Sequence, residues 1–267
     1  MDDLSGQRGR CRPPVRGRGA AVTPVLIPAL SRAFGRGVQI AAVNYHNTPA
    51  YRAADLDAEF ARLARRFAPA REDDLAGFLA TGRWGTDRPG VVLAFFNGYR
   101  NNYDVALPLL ERHGLIGWFF VATGYASCPA ADQVAYGAAR TLWTVPGEYA
   151  DGRFAMDWDE IRDLDRRGHV VASHTRNHVH VPPDDAEAVE EEIVGAQDDF
   201  RRELGHPVRS FAWLNGGAYG DSRAGNAALD AAGYEFVVST LRIQRLPGAR
   251  PIGAGAPAGP DRVAGPA

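Results

Sequence analysis

The sequence predicts an α/β fold in a single domain: a (β/α) barrel, distorted or incomplete, over residues 38–246. Three observations carry this. Short, continuously apolar β-rich runs recur along the chain, as expected for strands buried on both faces of a parallel sheet. Amphipathic helical stretches alternate with them. Apolar residues make up 45% of the 267 residues and aromatics 10%, enough for a sizeable core.

Val38–Tyr45 is the first β-rich run. Leu56, Phe60, Leu63 and Phe67 then recur at i, i+4, i+7 spacing and predict one face of a helix. Val91–Phe96 is the next strand, followed by a helix carrying Val105, Leu109 and Leu110 and stopped by Gly114. Leu115–Val121 is another unbroken apolar strand. A helix with Trp158, Ile161 and Leu164 inward ends at Gly168, and the strand His169–Ser173 follows at once. Val189, Ile193, Ala196, Phe200 and Leu204 mark a long helix closed by Gly205. Val208–Trp213 and Phe236–Thr240 complete the strands, with a helix over Ala224–Ala232 between them. Asp157, Asp159 and Glu160 form an acidic first helical turn that favours the helix dipole. Thr123–Ala155 is longer than an ordinary connection and long enough to fold over a site as a lid.

Outside this core, residues 1–37 carry seven Arg against two Asp with little periodicity and read as a flexible arm. Residues 247–267, rich in Pro, Gly and Ala, read as a disordered tail. The formal charge of −2 gives no general pull toward nucleic acid or membrane, and neither partner is expected. Every basic residue is Arg, which excludes lysine Schiff-base chemistry. Two cysteines, Cys11 and Cys128, are too few for a disulfide framework or a Cys-based zinc site. The apolar stretch Ala20–Leu30 is interrupted by Pro24 and Pro28 and lacks a small-residue cleavage site, so a cytoplasmic location is expected.

In such folds chemistry gathers at the C-terminal ends of the strands. That rule singles out Tyr45–His46, Phe96–Asn97–Gly98–Tyr99, Ser173–His174 and Trp213–Leu214–Asn215–Gly216. His174 and His178, four apart, have the spacing to place two neutral imidazoles on one metal. His180 should point elsewhere. His46 is the candidate substitute acid or base, because an imidazole exchanges protons near neutral pH. Trp118 reads as core.

The segment VVLAFFNGYRNNYDVALPLLERHGLIGWFFVATGY resembles the first signature of the polysaccharide deacetylase (NodB-homology) family, where a strand ends in a TFDDGY-type motif. SHTRNH resembles the second, an HxxxH metal motif, and RSFAWLNGGAYG the third. VNYH and MDWDEIRDLDRRGH match further pieces, so the likeness runs in order over residues 38–246. In the family one Asp of the first signature is the general base and the other joins the two histidines on the metal. The resemblance puts Phe96 at the base position and Asn97 at the ligand position. It therefore implies a metal set of Asn97, His174 and His178, zinc being the first expectation, weakened because a neutral amide holds a divalent cation less strongly than a carboxylate. Arg209 matches the residue that orients the base. Leu214 stands where Pro is usual, and no His follows His206.

The expected site is then His46 and Arg209 as catalytic groups, with Tyr45, Phe96, Tyr99, Trp158, Trp213 and Asn215 binding substrate. The leading expectation is a repurposed enzyme acting on an amide, acyl or related bond of a small or sugar-like molecule. A non-catalytic ligand- or glycan-binding pseudoenzyme and a metal-independent tailoring or cyclising catalyst stand beside it.

Overall fold

The computed structural model describes residues 40–180, 185–239 and 242–249, with Asn215 described by its backbone alone. The Arg-rich arm expected over residues 1–37, and the expected tail from residue 250 on, lie outside the described residues.

The chain runs β1 (Ile40–Tyr45), α1 (Ala53–Arg66), β2 (Ala68–Pro69), α2 (Glu72–Thr81) and β3 (Gly90–Asn97). A π-helical turn, Asn102–Ala106, leads into α3 (Leu107–Arg112), and β4 (Gly117–Val121) follows. Two small helices, α4 (Thr123–Ala126) and α5 (Gln133–Ala139), precede α6 (Trp158–Arg166) and β5 (Val170–Ser173). Then come α7 (Ala186–Leu204), β6 (Ser210–Phe211), α8 (Arg223–Ala232), β7 (Phe236–Val238) and β8 (Ile243–Arg245). The strands form one sheet in the order β1-β3-β4-β5-β6-β7-β8, with β2 also pairing with β3. All pairs are parallel except β7–β8. Among the described residues β1 and β8 do not pair, so the sheet is a curled, open half-barrel, the distorted (β/α) barrel expected.

Alternation splits the core into two layers. Tyr45, Phe95 and Phe119 share a register and stack on the helix-facing side, with Phe95–Phe119 centroids 5.1 Å apart, above Leu56 and Phe60 of α1. Phe96, Phe120, Trp118 and Phe236 fill the inside of the curl, where Ala94, Ala172 and Ala212 leave room for them. Trp118 is fully buried, as its sequence context predicts. Each fully buried Phe contributes about 2–3 kcal/mol of transfer free energy.

Helix ends follow local chemistry. At α6 the Asp157 carboxylate accepts from the Glu160 backbone N–H, and the Glu160 carboxylate accepts from that of Asp157. The sequence pattern names six strands, while eight exist among the described residues. β2 is two residues long, too short to show a period, and β8 is an antiparallel addition outside the βα alternation. Helix α2 buries only Leu75 and Ala76 and so has little apolar periodicity; its acidic first turn and left-handed Gly82 stop were the signals available. Of Val208–Trp213, only Ser210–Phe211 is strand.

Candidate active site at the strand C-terminal ends

β3 and β5 each run out into left-handed backbone. The described non-glycine residues with positive φ are Asn97 (80°), Thr141 (56°), Thr175 (66°) and His178 (55°), and they gather in one place. A β-branched residue in that region is an outlier, and each such residue costs about 1–3 kcal/mol, so the surrounding contacts must hold it there.

Those contacts are polar and buried. The Thr175 hydroxyl accepts the His178 backbone N–H. Glu192 of α7, 3% exposed, accepts from both the backbone and the side-chain amide of Asn177 and so fixes the turn between the two histidines. Gly124 of α4 donates to the Arg176 carbonyl at 2.7 Å; a Cβ there would lie 2.7 Å from Asn177 Oδ1 and 2.9 Å from that carbonyl, so only Gly permits the approach.

The side chains converge inside this frame. His174 and His178 have ring centroids 5.2 Å apart, and Phe96 lies edge-on to His174 at 5.0 Å. His46, exposed at the rim, stacks on Phe96 at 5.5 Å. Asn97 Oδ1 is 3.1 Å from His178 Nε2, and the Asn97 amide is 3.4 Å from the Tyr99 hydroxyl. His174 Nδ1 meets the Ala212 carbonyl at 2.9 Å and His178 Nδ1 the Arg140 carbonyl at 2.8 Å. Burial holds His174 at about 3 and lowers His178 and His46 from the ordinary imidazole value, so all three are neutral at pH 7. Among the described residues no hydrogen bond or ion pair joins a carboxylate to any of them, and no group of three or more His, Cys, Asp or Glu could hold a metal.

The insertion after β4 reaches this cluster. Besides the Arg140 carbonyl, it supplies the Trp143 backbone, whose carbonyl accepts from Asn47 and which lies beside the Tyr99 hydroxyl. It is a strap across the strand ends, tied at both sides, with the Trp143 ring 72% exposed.

Other residues named from the sequence sit apart from this cluster. Tyr45 stacks on Phe95 and donates to Glu59, on the helix-facing side, because alternation turns it away from its neighbour His46. Trp158 donates to Ser127 and packs edge-on to Phe200 between α6 and α7. Trp213 packs edge-on to Phe211 and lines an apolar cleft of about 120 Å³ with Val179, Leu214 and Ala218; none of His46, Asn97, His174 or His178 lines it. Arg209 lies at the other end of the sheet, bound to Glu235 at 2.7 Å and Asp73 at 2.7 Å, because it precedes β6. The side chain of Asn215 lies outside the described residues. Arg140, Trp143, Glu192 and Gly124 were missed; only the length of the insertion hinted at two of them.

The polysaccharide deacetylase profile matches residues 84–237, more than half of the chain, and spans β3, the His174–His178 loop and β6. The chain belongs to the polysaccharide deacetylase family. Solved structures of the same fold include IcaB from Ammonifex degensii, at 19% identity and TM-score 0.56 over 82% of this chain and 89% of that one. The deacetylase PplD from Streptococcus pyogenes, in complex with acetate, aligns at 13% identity and TM-score 0.54 over 74% and 80%. A de-N-acetylase from Aggregatibacter actinomycetemcomitans aligns at 17% and 0.54 over 79% and 90%. At these identities the likeness to the solved structures is one of fold. No curated protein sequence matches the chain. Membership in the polysaccharide deacetylase family makes hydrolysis of C–N bonds in sugar-like substrates the family-level expectation. No described helix is long and apolar enough to cross a membrane.

Proposed function

We propose that this polysaccharide deacetylase family member is repurposed: its strand-end pocket takes an amide or acyl group of a small or sugar-like molecule and works without a carboxylate base. The supporting observation is Phe96, packed against both His46 and His174. By resemblance, that position belongs to the Asp that accepts the proton of the attacking water, and a phenyl ring accepts none. The nearest exposed group that exchanges protons is His46. As a neutral imidazole it takes a proton from an attacking hydroxyl or water and returns it to the leaving nitrogen. Phe96, with His46 stacked on it, supplies an apolar floor beneath the acyl carbon.

The family implies a divalent metal at this position. Two imidazoles are there, but the third donor beside them is a neutral amide, 3.1 Å from His178 Nε2. The set does not fit a centre that depends on an anionic ligand, and no step is routed through a metal.

Acetate release from N-acetylated mono- and disaccharides, and turnover of cyclic amides, tests the reading on the purified full chain with and without chelator. The expected result is negligible acetate release, with any amide turnover indifferent to chelator and reduced about 100-fold or more in His46→Ala. Vigorous acetate release abolished by chelator would overturn it. A second reading, binding without turnover, is favoured by one fact: Asn97, His174 and His178 all spend hydrogen bonds on protein partners. Saturation-transfer signals from these compounds with no product would decide for that reading.

A further inference from the structure

The contact between Asn97 and His178 has a consequence for hydrogen bonding. A neutral imidazole has one donor and one acceptor nitrogen. His178 Nδ1 faces a carbonyl, that of Arg140, which only accepts, so Nδ1 must carry the proton. Nε2 is then a bare lone pair. With Asn97 Oδ1 toward it, two acceptors would face each other at 3.1 Å, 3% and 7% exposed, without water to separate them. An imidazolium would satisfy both contacts, but no carboxylate among the described residues pairs with it, and burial disfavours an unpaired charge. A divalent cation between the two atoms would also resolve the contact, but it would rest on a neutral amide in place of an anionic ligand. Turning the amide over resolves it with no cation at all, since its two ends occupy the same space and the bonding network decides which is which.

We propose that Asn97 occupies the metal position with a hydrogen bond: Asn97 Nδ2–H donates to His178 Nε2, and His178 Nδ1–H donates to the Arg140 carbonyl. The Tyr99 hydroxyl, beside the Trp143 backbone, uses its own proton on Asn97 Oδ1. The chain of bonds therefore runs from Tyr99, beside the Trp143 end of the strap, through Asn97 and His178 to the strap's other end, at Arg140. Each link in it pairs one donor with one acceptor, and none is a cation. The left-handed backbone at Asn97, Thr141 and His178 aims these groups at one another. His174 is the imidazole left to serve the pocket: its Nδ1–H donates to the Ala212 carbonyl, and its Nε2 has no hydrogen-bond donor among the described residues. An aspartate at position 97 has no N–H to offer; it would leave His178 Nε2 free and add a negative charge beside it. Asn97 thereby decides whether the two histidines make a metal site or part of a hydrogen-bonded wall.

The test reads metal and tautomer, not turnover, so its failure is separable from failure of the proposed function. Purified full chain is titrated with Co²⁺ and followed by absorption and calorimetry, and ¹⁵N-histidine spectra are recorded with and without Zn²⁺. For wild type the expected result is no stoichiometric Co²⁺ uptake, with His178 as the Nδ1–H tautomer whether Zn²⁺ is present or not. Asn97→Asp should take one Co²⁺ per chain with a Kd tighter by about 100-fold or more, as ligand charge shifts divalent affinity by decades. If Asn97→Asp fails to fold, the wild-type spectra still decide. One tightly bound metal per wild-type chain, a shift of His178 Nε2 on adding Zn²⁺, or an Nε2–H tautomer would each overturn the proposal.

Discussion

At the N-terminal end of the sheet, Arg209 is bound to Glu235 and Asp73 with Glu72 3.7 Å away, and Arg245 holds the other oxygen of Glu235 at 2.9 Å. At the C-terminal end, Asn97, His174 and His178 meet carbonyls, a hydroxyl and one another. Both ends bury polar groups under the same strands, yet one is an ion network and the other a neutral hydrogen-bonded cluster. Their backbones differ in parallel. The left-handed non-glycine residues lie at the neutral end. The strained backbone lies where the neutral polar groups converge, while the ionic end ties strands to helix α2.

The largest expected effect lies at the ionic end. Glu72, buried and bonded by the Ser210 hydroxyl, is pushed up from 4.5 to about 7 by burial, so the folded state binds its proton more tightly than the unfolded state. Stability from this group is complete below pH 4.5 and is lost as pH rises through about 7, by at most about 3 kcal/mol. Urea unfolding of wild type and Glu72→Gln across that range should show the fall in wild type alone. His169, lowered to about 4 by burial, works the opposite way: its contribution is present above pH 6.5 and lost as pH falls through about 4. The difference between wild type and Glu72→Gln isolates the Glu72 limb, because His169 is common to both. Equal slopes in the two proteins would show that the carboxyl is not buried as described.

Arg209→Ala comes next. Removing one partner of a buried ion pair costs about 3–5 kcal/mol; with Arg209 about a third exposed, about 2 kcal/mol is expected, or about 5 °C in Tm. His174 and His178 resonances should not move. If instead those resonances shift while Tm holds, the two ends are coupled and the contrast between them fails.

The smallest effect is at the strap. Trp143 holds the site through its backbone, and its ring is 72% exposed, so Trp143→Ala should change stability by no more than about 0.5 kcal/mol. A larger loss would mean that the ring packs on something, and that the neutral end relies on side-chain burial too.

Much of the fold was legible in the chain. Continuous apolar runs such as Val91–Phe96 and Leu115–Val121 can only be strands covered on both faces, and Gly205 stops α7 in left-handed backbone where the period ends. His174, His178, Phe96 and Asn97 were legible as neighbours because all four sit at or just beyond strand ends in a parallel sheet. That Tyr45 and Trp213 stand apart from the histidines was not legible, because a strand end offers two faces and an aromatic at either one has the same sequence signature. Arg209 misled because a motif gives order along the chain but not which end of a two-residue strand a side chain leaves from. Glu192 was hidden in a run of acidic residues on α7, where nothing separates the one that turns inward.

Local information, read over a few residues at a time, determined the alternation of strand and helix, the caps, the apolar faces and the nearness of two histidines. Tertiary structure alone decided that the strap from Arg140 to Trp143 bridges His178 and Tyr99, and that Asn97 turns toward His178. The physical reason is sequence separation. Hydrophobic periodicity is set by each segment's own geometry, whereas a hydrogen bond between residues 81 apart exists only after the sheet has curled and the insertion has docked.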